Sequence, residues 1–235
     1  LSDTKELVIK IIGAVMLGII VLFASSVLAI TGVGILPDPL DSIFGIAFFT
    51  HSGMLILSVI IGYFLTKGNL SEYGFKKPSE LNLAKVILIG LGLGVIVAVA
   101  RILISGGAVD TFEDYISIEI ILGVWVYASI AEEVLTRGLI QGYLNTYSKS
   151  GIQIANVYLS MPVIVGAFFF GFMHLATLTL GLDFITVLAT IISAIILGII
   201  AGYYCEKTGS LIPAILLHML FNIAGSLLGV MLFFI

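Results

Sequence analysis

The sequence predicts an all-α fold: a polytopic integral membrane bundle of seven to eight transmembrane helices, with a cavity opening toward the cytoplasmic side. Three observations lead there. Of 235 residues, 60% are hydrophobic and only 10% are charged, whereas roughly a quarter are charged in a soluble domain. Seven apolar runs are long enough to cross a bilayer core, which takes about 20 residues as a helix. The lysines fall between alternate runs, as a multi-pass topology requires. The whole chain, 1–235, reads as a single integral membrane domain.

The first run, Val8–Ile30, is longer than a signal-peptide core. Ala24-Ser25-Ser26-Val27-Leu28-Ala29 has the look of a cleavage site, but a full-length span reads as a retained anchor. The start at Leu1 rather than Met reads as a trimmed terminus. The second run is Ile43–Leu65, and the loop Thr66–Asn82 follows with Asn69-Leu70-Ser71-Glu72-Tyr73-Gly74-Phe75-Lys76-Lys77-Pro78. Its mixed aromatic and basic residues suit an interfacial segment as well as a solvated loop.

The third run, Leu83–Ile104, carries Arg101 near one end, where its head can snorkel to the surface. The fourth is Ile118–Tyr147. The piece Gln153–Leu159 is too short to span and reads as interfacial. Ser160 followed by Pro162 is a helix-start signal, opening the fifth run at Met161–Leu180. Phe184–Cys205 and Leu211–Ile235 complete the set. An eighth span could lie in the region after Ser148.

Under alternating topology Lys5, Lys10, Lys67, Lys76, Lys77, Lys85, Lys149 and Lys207 share one side, which the positive-inside rule makes cytoplasmic. Asp38, Asp41, Asp110, Glu113, Asp114, Glu119 and Asp183 fall on the other. The N-terminus is then expected inside. A net charge of −4 without a basic cluster argues against a nucleic-acid partner. Cys205, the only cysteine, has no internal disulfide partner. Glycines four apart (Gly90 and Gly94, Gly138 and Gly142, Gly198 and Gly202, Gly225 and Gly229) read as close helix packing rather than phosphate loops.

Within the spans the strongly polar groups are His51, Glu132, Glu133, Arg137, His174, His218 and Asn222. Buried charges of this kind face a bundle interior, pair with one another or do chemistry. On a helix Glu133 and Arg137 are four apart with the acid first, the favoured order for an ion pair. Glu132 is turned about 100° away. It is left without a partner on its own helix, the situation of a general acid or base. A purely structural role for all three charges is the plain alternative. His174 follows Phe170 by one turn, so the ring can wall the imidazole. His218 and Asn222 share a face of the last helix. His51 reads as an interhelical hydrogen-bonding residue. At about 1.5 Å per residue, Glu132, His174 and His218 fall within roughly 10 Å of a common level. Glutamate, two histidines and an asparagine at one depth can hold and deprotonate a water and supply donors to an oxyanion.

Glu132-Glu133-x-x-x-Arg137, Phe170-x-x-x-His174 and His218-x-x-x-Asn222 resemble, in order and spacing, the three motifs of the CAAX-protease and bacteriocin-processing (CPBP) intramembrane protease family. The resemblance covers about 118–235, which would be the catalytic core, and the Tyr73-Gly74-Phe75-Lys76-Lys77-Pro78 loop is similar to the segment that precedes it. The nearest type is the Ras-converting CAAX endopeptidase, which removes the last three residues of a prenylated CAAX protein. The resemblance implies Glu132 as the base that activates water, helped by His174. It implies His218 and Asn222 as the oxyanion site, and Glu133 with Arg137 as a structural ion pair. No cofactor is implied; the partners would be a prenylated CAAX substrate and the bilayer. Family archetypes have eight spans against the seven counted here.

Two other classes stay open. A zinc protease could use His174, His218 and a carboxylate as ligands, although His-Glu-x-x-His is missing. A scaffold or transporter could use Glu132 as a proton site, although no inverted repeat or Pro-broken helix pair is visible. Cys205 lies outside all three motifs, at a span edge, and is not expected to be a nucleophile.

Overall fold

The computed structural model describes residues 2–34, 43–104 and 121–233. The acidic positions 38, 41, 110, 113, 114 and 119 and the start of the fourth run lie outside the described residues. Helices dominate: α1 (Ser2–Val33), α2 (Ile43–Leu65), α3 (Leu83–Ile104), α4 (Ser129–Glu133), α5 (Met161–Met173), α6 (Phe184–Thr208) and α7 (Ile212–Phe233). Among the described residues, five stretches are long and apolar enough to cross a membrane: Thr4–Gly32, Gly45–Leu65, Leu83–Ile104, Met161–Thr179 and Phe184–Thr208. Within α7, Ile212–Leu228 is a shorter apolar helix.

The fourth run differs from the uniform α-helix its composition suggests. The short α4 is continued on both sides by π-helical turns, Ile121–Ala128 and Val134–Gln141. Wider i→i+5 turns of this kind recur at functional sites. This central segment is buried from Glu133 to Gln141 without a break, so it runs through the bundle interior and touches neighbours on every side. Ala131 and Leu135 join Ala14, Val21, Met54 and Phe169 in one apolar cluster. Val134 joins Ala201, Cys205, Leu211 and Ala214 in another.

A second departure is the piece after Ser148. Gln153–Leu159, too short to span and expected at the interface, departs from the all-α expectation: it lies in an antiparallel hairpin of β1 (Gly151–Ile154) and β2 (Val157–Ser160). Alternating β-branched Ile152, Ile154 and Val157 favour strands, and Ile154 pairs with Val157 across a two-residue turn. The predicted helix start after it is present: Ser160 caps α5, accepting from the Val163 amide at 3.3 Å, with Pro162 in the first turn. That helix ends at Met173, and His174–Leu180 continues as a tighter 3₁₀ turn.

Two glycine pairs show why small residues recur. A Cβ at Gly94 would stand 2.5 Å from Phe221 O, so α3 lies directly against the α7 backbone there. A Cβ at Gly198 would stand 2.9 Å from Ala167 Cα and 3.0 Å from Arg137 Nη2. In lipid, burial of apolar surface no longer drives helices together, so they gain stability from the van der Waals packing that such close approach allows. Gly225 is different: among the described residues only Gly94 O is near, at 4.0 Å.

The loop between α2 and α3 is docked rather than free. Leu70–Tyr73 forms a 3₁₀ turn ended by Gly74, whose positive φ of 86° suits glycine. Gly74 O accepts from the Leu211 amide at 3.0 Å, and Lys76 O accepts from Ser210 Oγ at 2.5 Å. These bonds tie the loop to the α6–α7 connection. Arg101, near the end of α3, donates to Thr190 Oγ1 on α6 as well as lying where it can snorkel.

Candidate active site

The ion pair read from helix spacing is present. Arg137 Nη1 donates to Glu133 Oε1 at 3.0 Å, and neither side chain reaches solvent. Arg137 Nη1 also donates to Thr136 Oγ1 at 2.5 Å, and its guanidinium carbon lies 4.6 Å from the centre of the Phe170 ring. A cation over an aromatic face is attracted by the ring quadrupole. Phe170 thus does more than wall one imidazole. His174 and His218 both meet it edge-on, with ring centres 5.2 Å and 5.3 Å away.

Glu133 has a second partner that helix spacing alone does not reveal. His218 Nδ1 donates to Glu133 Oε1 at 3.0 Å. A carboxylate already paired with a buried arginine is an acceptor only, so His218 carries its proton on Nδ1 and presents Nε2 elsewhere. That Nε2 lies 3.7 Å from Glu132 Oε2.

Glu132, turned away from Arg137, retains 14% exposure of its side chain. It has no partner on its own helix, but two histidines from other helices approach it. His51 Nε2 on α2 lies 3.3 Å from Oε1, and His218 on α7 lies beside Oε2. His51 is therefore an interhelical hydrogen-bonding residue, and its partner is the carboxylate singled out for chemistry. Sequence spacing did not connect them because they are 81 residues apart on different helices.

His174 stands at the junction of α5 and its 3₁₀ extension. Its Nδ1 donates to Phe170 O at 2.8 Å, which leaves Nε2 for other partners. The ring is half-buried and close enough to act electrostatically on Glu132. Asn222 is half-buried one turn beyond His218, and its Nδ2 donates to Ser129 Oγ at 3.1 Å. Ser129 in turn donates to Trp125 O at 2.9 Å, one turn earlier in the central segment. Ser129 was not among the residues picked from sequence; an isolated serine carries no signal until its partner is known.

Glu132, His174, His218 and Asn222 thus gather around α4, in the middle of the central segment, joined by His51 and underpinned by Glu133, Arg137 and Phe170. Among the described residues, no three His, Cys, Asp or Glu side chains form a group suited to hold a metal ion. Cys205, in the last turn of α6, is buried with Val134, Ala201, Leu211 and Ala214.

Comparison with known families covers the same ground. Residues 115–224 match the family model described as type II CAAX prenyl endopeptidase, Rce1-like. This segment belongs to the Rce1-like family. The Rce1-like segment holds Glu132, Glu133, Arg137, His174, His218 and Asn222, whereas His51 precedes it. The five candidate spans among the described residues are those of a multi-pass membrane protein, and the matched segment is similar to a family of intramembrane proteases. Neither a curated protein nor a solved structure matches the chain.

Proposed function

We propose that this protein is a glutamate-dependent intramembrane endopeptidase that removes the C-terminal tripeptide of prenylated CAAX proteins. The observation that carries the reading is the division of labour between adjacent carboxylates. Glu133 is enclosed with Arg137 and His218, while Glu132 keeps partial exposure between His51 and His218. The match of residues 115–224 to the Rce1-like family supports the substrate class.

In this reaction Glu132 takes a proton from a water molecule as the water oxygen attacks the scissile carbonyl carbon. The carbonyl π electrons move to oxygen, and the resulting oxyanion accepts hydrogen bonds from Asn222 Nδ2 and from His218 Nε2 when that ring holds a second proton besides the one Nδ1 donates to Glu133. As the tetrahedral centre collapses, the C–N bond breaks and the proton held by Glu132 passes to the leaving amine. His174 assists Glu132 by holding the attacking water through its available Nε2. The lysine distribution supports a site approached from the cytoplasmic side, with the N-terminus on that side as well.

The deciding experiment is cleavage of a farnesylated CAAX peptide by protein in nanodiscs, comparing wild type with Glu132→Ala. Cleavage by wild type and none by the variant, at matched folding, is the expected result. Equal cleavage by both would remove Glu132 from the mechanism. Cleavage of non-prenylated peptides alone would leave proteolysis standing and displace the prenyl substrate.

A further inference from the structure

His51 lies outside the family-matched residues, yet it touches the carboxylate on which the proposed reaction depends. Its own ring is fixed at both nitrogens. Nδ1 stands 2.6 Å from Ala47 O, one turn back on α2. A carbonyl oxygen only accepts, so Nδ1 carries a proton and a neutral ring would leave a bare lone pair on Nε2. Nε2 faces Glu132 Oε1 at 3.3 Å. Two lone pairs facing one another repel; the contact is attractive only with a proton between them.

The same counting applied to His218 gives a different result. Its Nδ1 proton belongs to Glu133, and the 3.7 Å separation from Nε2 to Glu132 Oε2 is too long for a direct hydrogen bond. One oxygen of Glu132 is therefore held and the other is not. The groups facing the carboxylate are His51 from α2, His218 from α7 and His174 from α5, with Glu133 and Arg137 behind it on its own segment.

The placement of His51 is itself built into the packing. Ser52 Oγ and Tyr127 OH share a hydrogen bond of 2.7 Å, and Phe48 stacks on the Tyr127 ring at 5.5 Å. One turn on, Met54 enters the apolar cluster with Ala131 and Leu135. These contacts on either side of His51 hold α2 against the central segment at the level of Glu132.

From this we infer that His51 is a positioning residue of the active site: it holds Glu132 Oε1 through a shared proton, so that Oε2 is presented to the water it deprotonates. The inference rests on Glu132 being the base, and its test separates the two. Wild type, Glu132→Gln, His51→Phe and His51→Gln are compared in nanodiscs with the farnesylated CAAX peptide. His51→Phe is expected to lower kcat about 100-fold, the order that misplacing a reacting group by an ångström costs, with KM nearly unchanged. His51→Gln, whose side-chain amide can donate to the carboxylate, recovers part of the loss. Unchanged kcat in folded His51→Phe protein overturns the inference.

A second measurement needs no turnover. Nitrogen-15 NMR of ring-labelled histidine reports the His51 Nε2 proton directly. The Nε2 signal is expected to be protonated in wild type and to shift in Glu132→Gln. A signal that ignores Glu132→Gln overturns the inference even if the peptide is cleaved. A signal that shifts while Glu132→Gln still cleaves retains the pair and refutes the proposed base.

Discussion

His218 Nδ1 and Glu133 Oε1 lie 3.0 Å apart, on the oxygen that also accepts from Arg137. The ion pair expected to lock helices together therefore also orients an imidazole of the site. Glu133→Ala strands a buried guanidinium, and breaking one side of such a pair costs about 3–5 kcal/mol. The expected outcome is a sharply lowered unfolding temperature in detergent. Glu133→Gln keeps an oxygen to accept from Nδ1, so it should be more stable than Glu133→Ala while losing activity. Equal unfolding temperatures for wild type and Glu133→Ala would show that Arg137 finds another acceptor.

The pairing of Asn222 with Ser129 predicts a graded pair of variants. If Asn222 Nδ2 serves the oxyanion, Asn222→Ala lowers kcat about 10²–10³-fold. Ser129→Ala removes only the oxygen that receives the amide, so its loss should be smaller and should vanish in the Asn222→Ala background. Additive losses in the double variant would mean that the two residues act independently.

Close approach at Gly198 can be tested without touching the polar residues. A Cβ there would stand 2.9 Å from Ala167 Cα and 3.0 Å from Arg137 Nη2, closer than ordinary van der Waals contact. Gly198→Val is expected to destabilise by about 1–3 kcal/mol, the usual effect of overpacking. Activity should fall with it because Arg137 and Glu133 are displaced. Unfolding in detergent and peptide cleavage, measured on one preparation, would reveal a fold that absorbs the methyl groups.

Two further treatments separate the proposed chemistry from alternatives. Nδ1 of His218 is engaged by Glu133 and that of His174 by Phe170 O, and the described acidic and histidine side chains form no group suited to a metal. Cleavage should persist after exhaustive chelation; loss restored specifically by zinc would establish the metal mechanism. Cys205 is enclosed in the core, so Cys205→Ser should cleave at the wild-type rate. Inactivation without unfolding would point to a role for the thiol.

Much of the architecture was legible because lipid constrains a chain severely. Backbone groups in the bilayer core need internal partners, so long apolar runs become helices, and those described as Thr4–Gly32, Gly45–Leu65, Leu83–Ile104 and Phe184–Thr208 follow the composition closely. The hairpin at Gly151–Ser160 was not legible as such. It is too short for periodicity to outweigh the helical surroundings, and its register depends on a two-residue turn.

The same contrast runs through the site. Sequence by itself determined the Glu133–Arg137 pair, because partners four apart meet on any helical turn, and it separated Glu132 from them by rotation. It also determined which residues the three motifs contain. Only the tertiary structure decided that His218 belongs to Glu133 through one nitrogen and approaches Glu132 with the other, that Ser129 receives Asn222, and that His51 reaches Glu132. Each of those contacts joins different helices across 81 to 93 residues. Helical periodicity sets which face a side chain occupies; the packing of one helix against another decides what that face meets.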